Sequence, residues 1–266
     1  MSISHGIAIF AAAFAAGVMN SVAGGGTLIT FPILVAFGMN PKIANATSTV
    51  ALLPGSAGGM WGYRREMDDT RPLLIRLAIP SIIGGAAGAG LLMITPVNTF
   101  ANLVPYLILF ATAIFIAQEP ISRHLRKRRI DADPTGNPNA VVPSRAWWIG
   151  AMTFQFWVAV YGGYFGAGIG ILMLASLGLL GVSDIHRANG AKTFLAICIN
   201  GIAVLSFIVF RMVNWPEALL MSIGAVLGGY GSADIARRLG QSLIKKVVVA
   251  IGLLMGAVML WKQWNG

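Results

Sequence analysis

Apolar residues run along this chain in long blocks, at 5–19, 24–38, 43–63, 72–94, 98–118, 146–160, 165–182, 188–210, 216–233 and 243–262. A helix needs roughly 20 residues to cross a bilayer core of about 30 Å. Six blocks have that length, with 216–233 at the lower limit. The other four (5–19, 24–38, 146–160 and 165–182) are short and fall into two adjacent pairs. The pattern predicts an all-α, polytopic membrane protein of eight to ten hydrophobic segments, some of them broken or re-entrant. Within the first pair stands NSVAGGGTLITFP, Asn20 to Pro32. Three consecutive glycines oppose a continuous helix, each by about 1 kcal/mol against alanine.

Composition agrees with the pattern. Of 266 residues, 56% are hydrophobic and 11% charged, and the mean hydropathy is +0.76; soluble domains carry about 25% charged residues. The N-terminal block lacks the basic flank of a signal peptide, with only His5 before it, and reads as a retained membrane segment. The single cysteine, Cys198, lies in an apolar block and reads as a buried thiol. The net charge of +10 is topological. Arg64, Arg65 and Arg71 share one loop, Arg123, Arg126, Lys127, Arg128, Arg129 and Arg145 a second, and Arg237, Arg238, Lys245 and Lys246 a third. Lys/Arg excess in short loops marks the cytoplasmic side, so no nucleic-acid partner is needed, and both termini are expected outside.

Compared with itself, the sequence matches at an offset of 144 residues (Ala167 against Ala23). AGGGTLI at Ala23–Ile29 falls on AGIGILM at Ala167–Met173, ANATST at Ala44–Thr49 on ANGAKT at Ala188–Thr193, and Gly84–Gly85 on Gly228–Gly229. The loop at 64–71 is basic where its counterpart at 208–215 has one arginine, and the loop at 94–97 is uncharged where its counterpart is basic. Corresponding loops then lie on opposite faces. The expectation is two inverted repeats, 1–118 and 146–266, joined by a cytoplasmic linker at 119–145, the layout of many secondary transporters.

Irregular backbone at membrane depth is tolerated where it is buried in protein or lines a watery cavity. A helix restarting after such a break offers N–H groups and a dipole that favour an anion. Asn20, Gly24, Gly25, Gly26 and Thr27 at the first break, with Tyr164, Gly168 and Gly170 in YGGYFGAGIG at the second, are therefore candidate substrate contacts, facing each other near the midplane. Asn40-Pro41 and Ser183-Asp184 read as helix starts. From there Thr49 and Lys192 lie roughly 12 Å along their helices. Asn45, Ser48 and Thr49 share one face, as do Asn189, Lys192 and Thr193. A lysine at that depth marks a pathway or ligand, and a small anion is the expected substrate.

NSVAGGGTLITFPIL followed by ANATST, with a weaker second copy at YFGAGIG and ANGAKT, resembles the sulfite exporter TauE/SafE family over essentially the whole chain. That resemblance implies a multi-pass permease of the bacterial inner membrane, without cofactor or metal, exporting sulfite or an organosulfonate such as sulfoacetate. It carries the family's glycine motif onto Gly24, Gly25 and Gly26 and its asparagine/threonine segment onto Asn45 and Thr49.

Three other readings compete. An intramembrane enzyme would need a partner for Ser56 in GSAGG, but His5, His124 and His186 lie at or near helix ends, and no paired carboxylates stand within the spans. An anion channel is not separated from a carrier by sequence. A cation carrier would need intramembrane carboxylates, as would ion-coupled uptake of a different small solute, whereas Asp184, Glu217 and Asp234 fall near helix ends. Oligomeric state stays open.

Overall fold

A computed structural model describes residues 2–22, 25–62, 71–132, 145–180, 182, 185–239 and 241–265. Among these the chain forms ten helices: α1 (Ile3–Val22), α2 (Thr27–Ala36), α3 (Pro41–Gly62), α4 (Arg71–Ile94), α5 (Val97–Ala132), α6 (Arg145–Tyr164), α7 (Ile169–Leu179), α8 (Ile185–Val209), α9 (Trp215–Leu239) and α10 (Gln241–Asn265). No strand occurs among the described residues. The protein is an all-α, multi-pass membrane protein.

Helix lengths depart from the apolar blocks where the backbone gains bonds beyond them. Among the described residues, four helices have the apolar length to cross a membrane: Ile3–Asn20, Arg71–Ile94, Val97–Ala117 and Arg187–Val209. The first of these exceeds its apolar block because α1 stays helical through Asn20. Helix α5 runs on through the basic stretch to Ala132, a length of about 54 Å at 1.5 Å per residue. The start of the segment expected as a linker is thus helical; its remainder, 133–144, lies outside the described residues.

The short segments form hairpins. At one end of α1 and α2, His5 stacks on Phe37 with centroids 4.2 Å apart. At the other, the Asn20 side chain reaches Gly26. The arms therefore run antiparallel, and the chain turns back at the glycines. Helix α3 then starts at Pro41, its Lys42 N–H held by Asn40 Oδ1 at 3.0 Å, and returns beside α2, where the Thr30 and Ser48 hydroxyls pair. Helices α6 and α7 bend in the same way and α8 follows beside α7. The matching helix start expected at Ser183-Asp184 lies outside the described residues.

Most packing joins the two halves of the chain. Helix α1 lies on α9 and α4 on α6; α3 lies on α9 and α4 on α8; α5 meets α7 and α10 meets α2. Helices α3 and α8 pack on each other, as do α5 and α10. Exchanging each of these helices for the one five places away returns the same set of partners.

In lipid there is little hydrophobic drive between helices, so small residues that admit close backbones matter most. A Cβ on Gly84 of α4 would stand 2.5 Å from the Phe156 carbonyl oxygen of α6, and one on Gly228 of α9 would overlap the Phe14 carbonyl of α1. The outward faces are apolar. Ile75, Ile79, Ile82 and Ile83 are exposed on α4, as are Leu219, Ile223, Val226 and Leu227 on α9. This is the face a bilayer covers.

Candidate functional site

At the first break the chain closes its own backbone. Gly25 takes φ +97°, a conformation that L side chains rarely adopt, and Gly26 caps α2. The Gly26 N–H donates to Asn20 Oδ1 at 2.7 Å. The Leu28 and Ile29 N–H groups donate to the Gly25 and Gly26 carbonyls at 2.9 and 3.0 Å. Asn20 thus caps Gly26 from six residues upstream, while the Gly25 and Thr27 N–H groups have no acceptor among the described residues. Thr27 opens α2 half-buried, and Gly24 lies outside the described residues.

The second break is left more open. Gly166 and Gly168 take φ +80° and +78°. The Tyr161 hydroxyl donates to the Ala167 carbonyl at 2.8 Å and closes the bend. In the first turn of α7, the Ile171 N–H donates to the Gly168 carbonyl at 3.1 Å. The Ile169 and Gly170 N–H groups have no acceptor among the described residues. For Gly170 the reason lies in the register: the position matching Asn20 is Tyr164. Its ring packs edge-on against Phe100 at 5.6 Å instead of capping Gly170.

Helix α5 brings the breaks together. The Cβ position of Gly168 is 3.5 Å from Ala111, and that of Gly25 is 3.5 Å from the Phe115 ring. Ala111 and Phe115 are one turn apart, about 6 Å along the axis. Phe31 of α2 and Phe165 of the second break meet edge to face at 5.3 Å.

The polar faces of α3 and α8 complete the region. Asn45 is 1% exposed. Its Nδ2 donates 3.1 Å to the Tyr164 carbonyl at the second break, and its Oδ1 is buried without a partner. Thr49 and Thr193 each donate 2.8 Å to a carbonyl of their own helix, that of Asn45 and of Asn189, so neither hydroxyl has its proton free. Ser48 is wholly buried and paired with Thr30. At the positions matching Ser48 and Thr30 stand Lys192 and Leu174, so the second half has no such hydroxyl pair. Lys192 is 5% exposed, and its ammonium has no carboxylate or carbonyl partner among the described residues. Glu217 is the other buried charged residue among them, placed in the first turn of α9.

The structure also employs residues outside the sequence-derived set. Thr30 is a polar residue in an apolar block, and that contrast is a visible signal. Tyr161, Ala111 and Phe115 carry none, because only the fold sets them against the breaks.

A family model for sulfite exporter TauE/SafE matches residues 9–259. The chain belongs to the sulfite exporter TauE/SafE family. It is 26% identical over 257 residues to a probable membrane transporter protein of Haemophilus influenzae, covering 96% of this chain and 94% of that one. It is 27% identical over 256 residues to the probable membrane transporter protein ORF9 of Sinorhizobium sp., covering 95% and 91%. With the probable membrane transporter protein YfcA of Escherichia coli K12 it shares 26% over 254 residues, covering 95% and 88%. No solved structure matches. As a member of this family the chain is a membrane transporter and not an enzyme.

Proposed function

We propose that this TauE/SafE-family transporter exports a small anion, sulfite or an organosulfonate, across the bacterial inner membrane through a site between the two glycine breaks. The observation that carries this reading is Lys192 on α8, 5% exposed and with no partner for its ammonium among the described residues, on a helix that packs on α3, α4, α6 and α7. A buried cation without a counter-charge is costly unless a ligand supplies one. The open Ile169 and Gly170 N–H groups add donors at the start of α7, which packs on the same α8. The exchange of packing partners between α1–α5 and α6–α10 supports two inverted repeats on either side of the site, the architecture on which alternating access rests.

Export follows from the charges. Among the described residues the one buried carboxylate is Glu217, at a helix start, so no carboxylate stands beside the breaks to bind a driving cation. An inside-negative potential itself drives anions outward, by about 2.3 kcal/mol per charge per 100 mV. Proteoliposomes loaded with sulfite should release it faster under an imposed inside-negative potential. Release that ignores the potential and follows a pH gradient would overturn the electrogenic reading.

A further inference from the structure

We infer that the substrate of this site is a singly charged oxyanion that also donates a hydrogen bond, and that Asn45 Oδ1 is the acceptor that selects it. The inference deepens the proposed function and rests on it. The charge comes first. Lys192 is the one buried cation among the described residues, and the only buried carboxylate among them, Glu217, sits in the first turn of α9. A monoanion paired with Lys192 compensates its charge, whereas a dianion leaves one buried charge uncompensated.

The donor follows from Asn45. Its amide orientation is fixed, because the Tyr164 carbonyl can only accept, so Nδ2 must face it at 3.1 Å. Oδ1 then points elsewhere. It is buried and unpartnered on a residue 1% exposed. Buried acceptors in proteins nearly always find a donor. Because Tyr164 ends α6 at the edge of the second break, the open acceptor adjoins the loop that precedes the open N–H groups of Ile169 and Gly170. One end of the substrate would receive hydrogen bonds and the Lys192 charge, and another atom would give one. Hydrogensulfite, with its single proton, has this chemistry, as does a sulfonate bearing a hydroxyl group. Doubly charged sulfite and sulfoacetate do not.

Two ligand pairs test this without any variant. Chlorate matches hydrogensulfite in charge and pyramidal shape but has no proton. Propane-1-sulfonate matches 2-hydroxyethanesulfonate with a methyl group in place of the hydroxyl. Calorimetry on the protein in lipid nanodiscs should find the donor-bearing member of each binding pair tighter by roughly ten- to a hundredfold. Asn45→Leu should remove that preference, and Lys192→Met should abolish binding of either member. If both members bind equally and still require Lys192, the inference fails and the anion site stands. If no member of either pair binds, the proposed function fails and the inference with it.

Discussion

The two breaks share a glycine register, but their finishing differs. At the first, Asn20 Oδ1 takes the Gly26 N–H at 2.7 Å, and the nearby hydroxyls of Thr30 and Ser48 pair with each other. At the second, Tyr164 stands where Asn20 would be and Lys192 where Ser48 would be. The Gly170 N–H and the Lys192 ammonium are consequently without partners among the described residues. Similar backbones here divide labour. At the first break the Gly26 N–H is closed by Asn20, while the Gly25 and Thr27 N–H groups have no acceptor among the described residues. Under the proposed function, the second break holds the Gly170 N–H and the Lys192 ammonium for a ligand.

Lys192 provides the largest expected effect. Lys192→Met should weaken anion binding more than about a hundredfold, in line with the 2–5 kcal/mol typical of truncating one side of a buried charge pair, while the protein still inserts and melts cooperatively. Lys192→Arg should recover only part, since a guanidinium is bulkier and donates in a fixed fork. The matching change in the first half, Ser48→Ala, should cost about 1 kcal/mol of stability through the lost hydroxyl pair and leave affinity nearly unchanged. Calorimetry and thermal melts read both.

Exchanging the caps should come next. Tyr164→Asn places an acceptor where Asn20 stands in the first half, and should lower anion affinity about tenfold by occupying the Gly170 N–H. Tyr164→Leu removes the same ring without adding an acceptor and should bind close to wild type. Asn20→Ala should cost about 1 kcal/mol of stability as a lost helix cap, without a matching loss of affinity. Equal affinity losses from Asn20→Ala and Tyr164→Asn would erase the distinction between the breaks.

The smallest effects belong to the glycines themselves. Gly25→Ala and Gly168→Ala both place a Cβ on positive-φ backbone with ordinary 3.5 Å contacts, so each should destabilise by about 1–2 kcal/mol through strain. Only Gly168→Ala should also weaken anion binding, by a few fold.

Sequence reasoning reaches the outline of this contrast but not its direction. The glycine runs, the Asn40-Pro41 helix start and the burial of Lys192 are legible because each is a local departure from an apolar block. The role of Asn20 is not. A polar residue beside glycines reads as a ligand contact, and only the turn geometry makes it a cap. The bond from Asn45 to the Tyr164 carbonyl spans the two halves, and no local pattern encodes it. Helical spacing marks Thr49 and Thr193 as substrate contacts, yet each donates its hydroxyl proton to its own helix. The helical extension of α5 to Ala132 is hidden by its charges, which read as solvated tether.

The position of a bound anion decides which break recognises the substrate. Hydrogenselenite carries one charge and one proton, and selenium scatters anomalously. A structure of the protein soaked with it should show one anomalous peak within reach of the Gly170 N–H, Asn45 Oδ1 and the Lys192 ammonium. A peak beside Gly25 and Gly26 instead, or its persistence unchanged in Lys192→Met, would contradict the assignment of recognition to the second break.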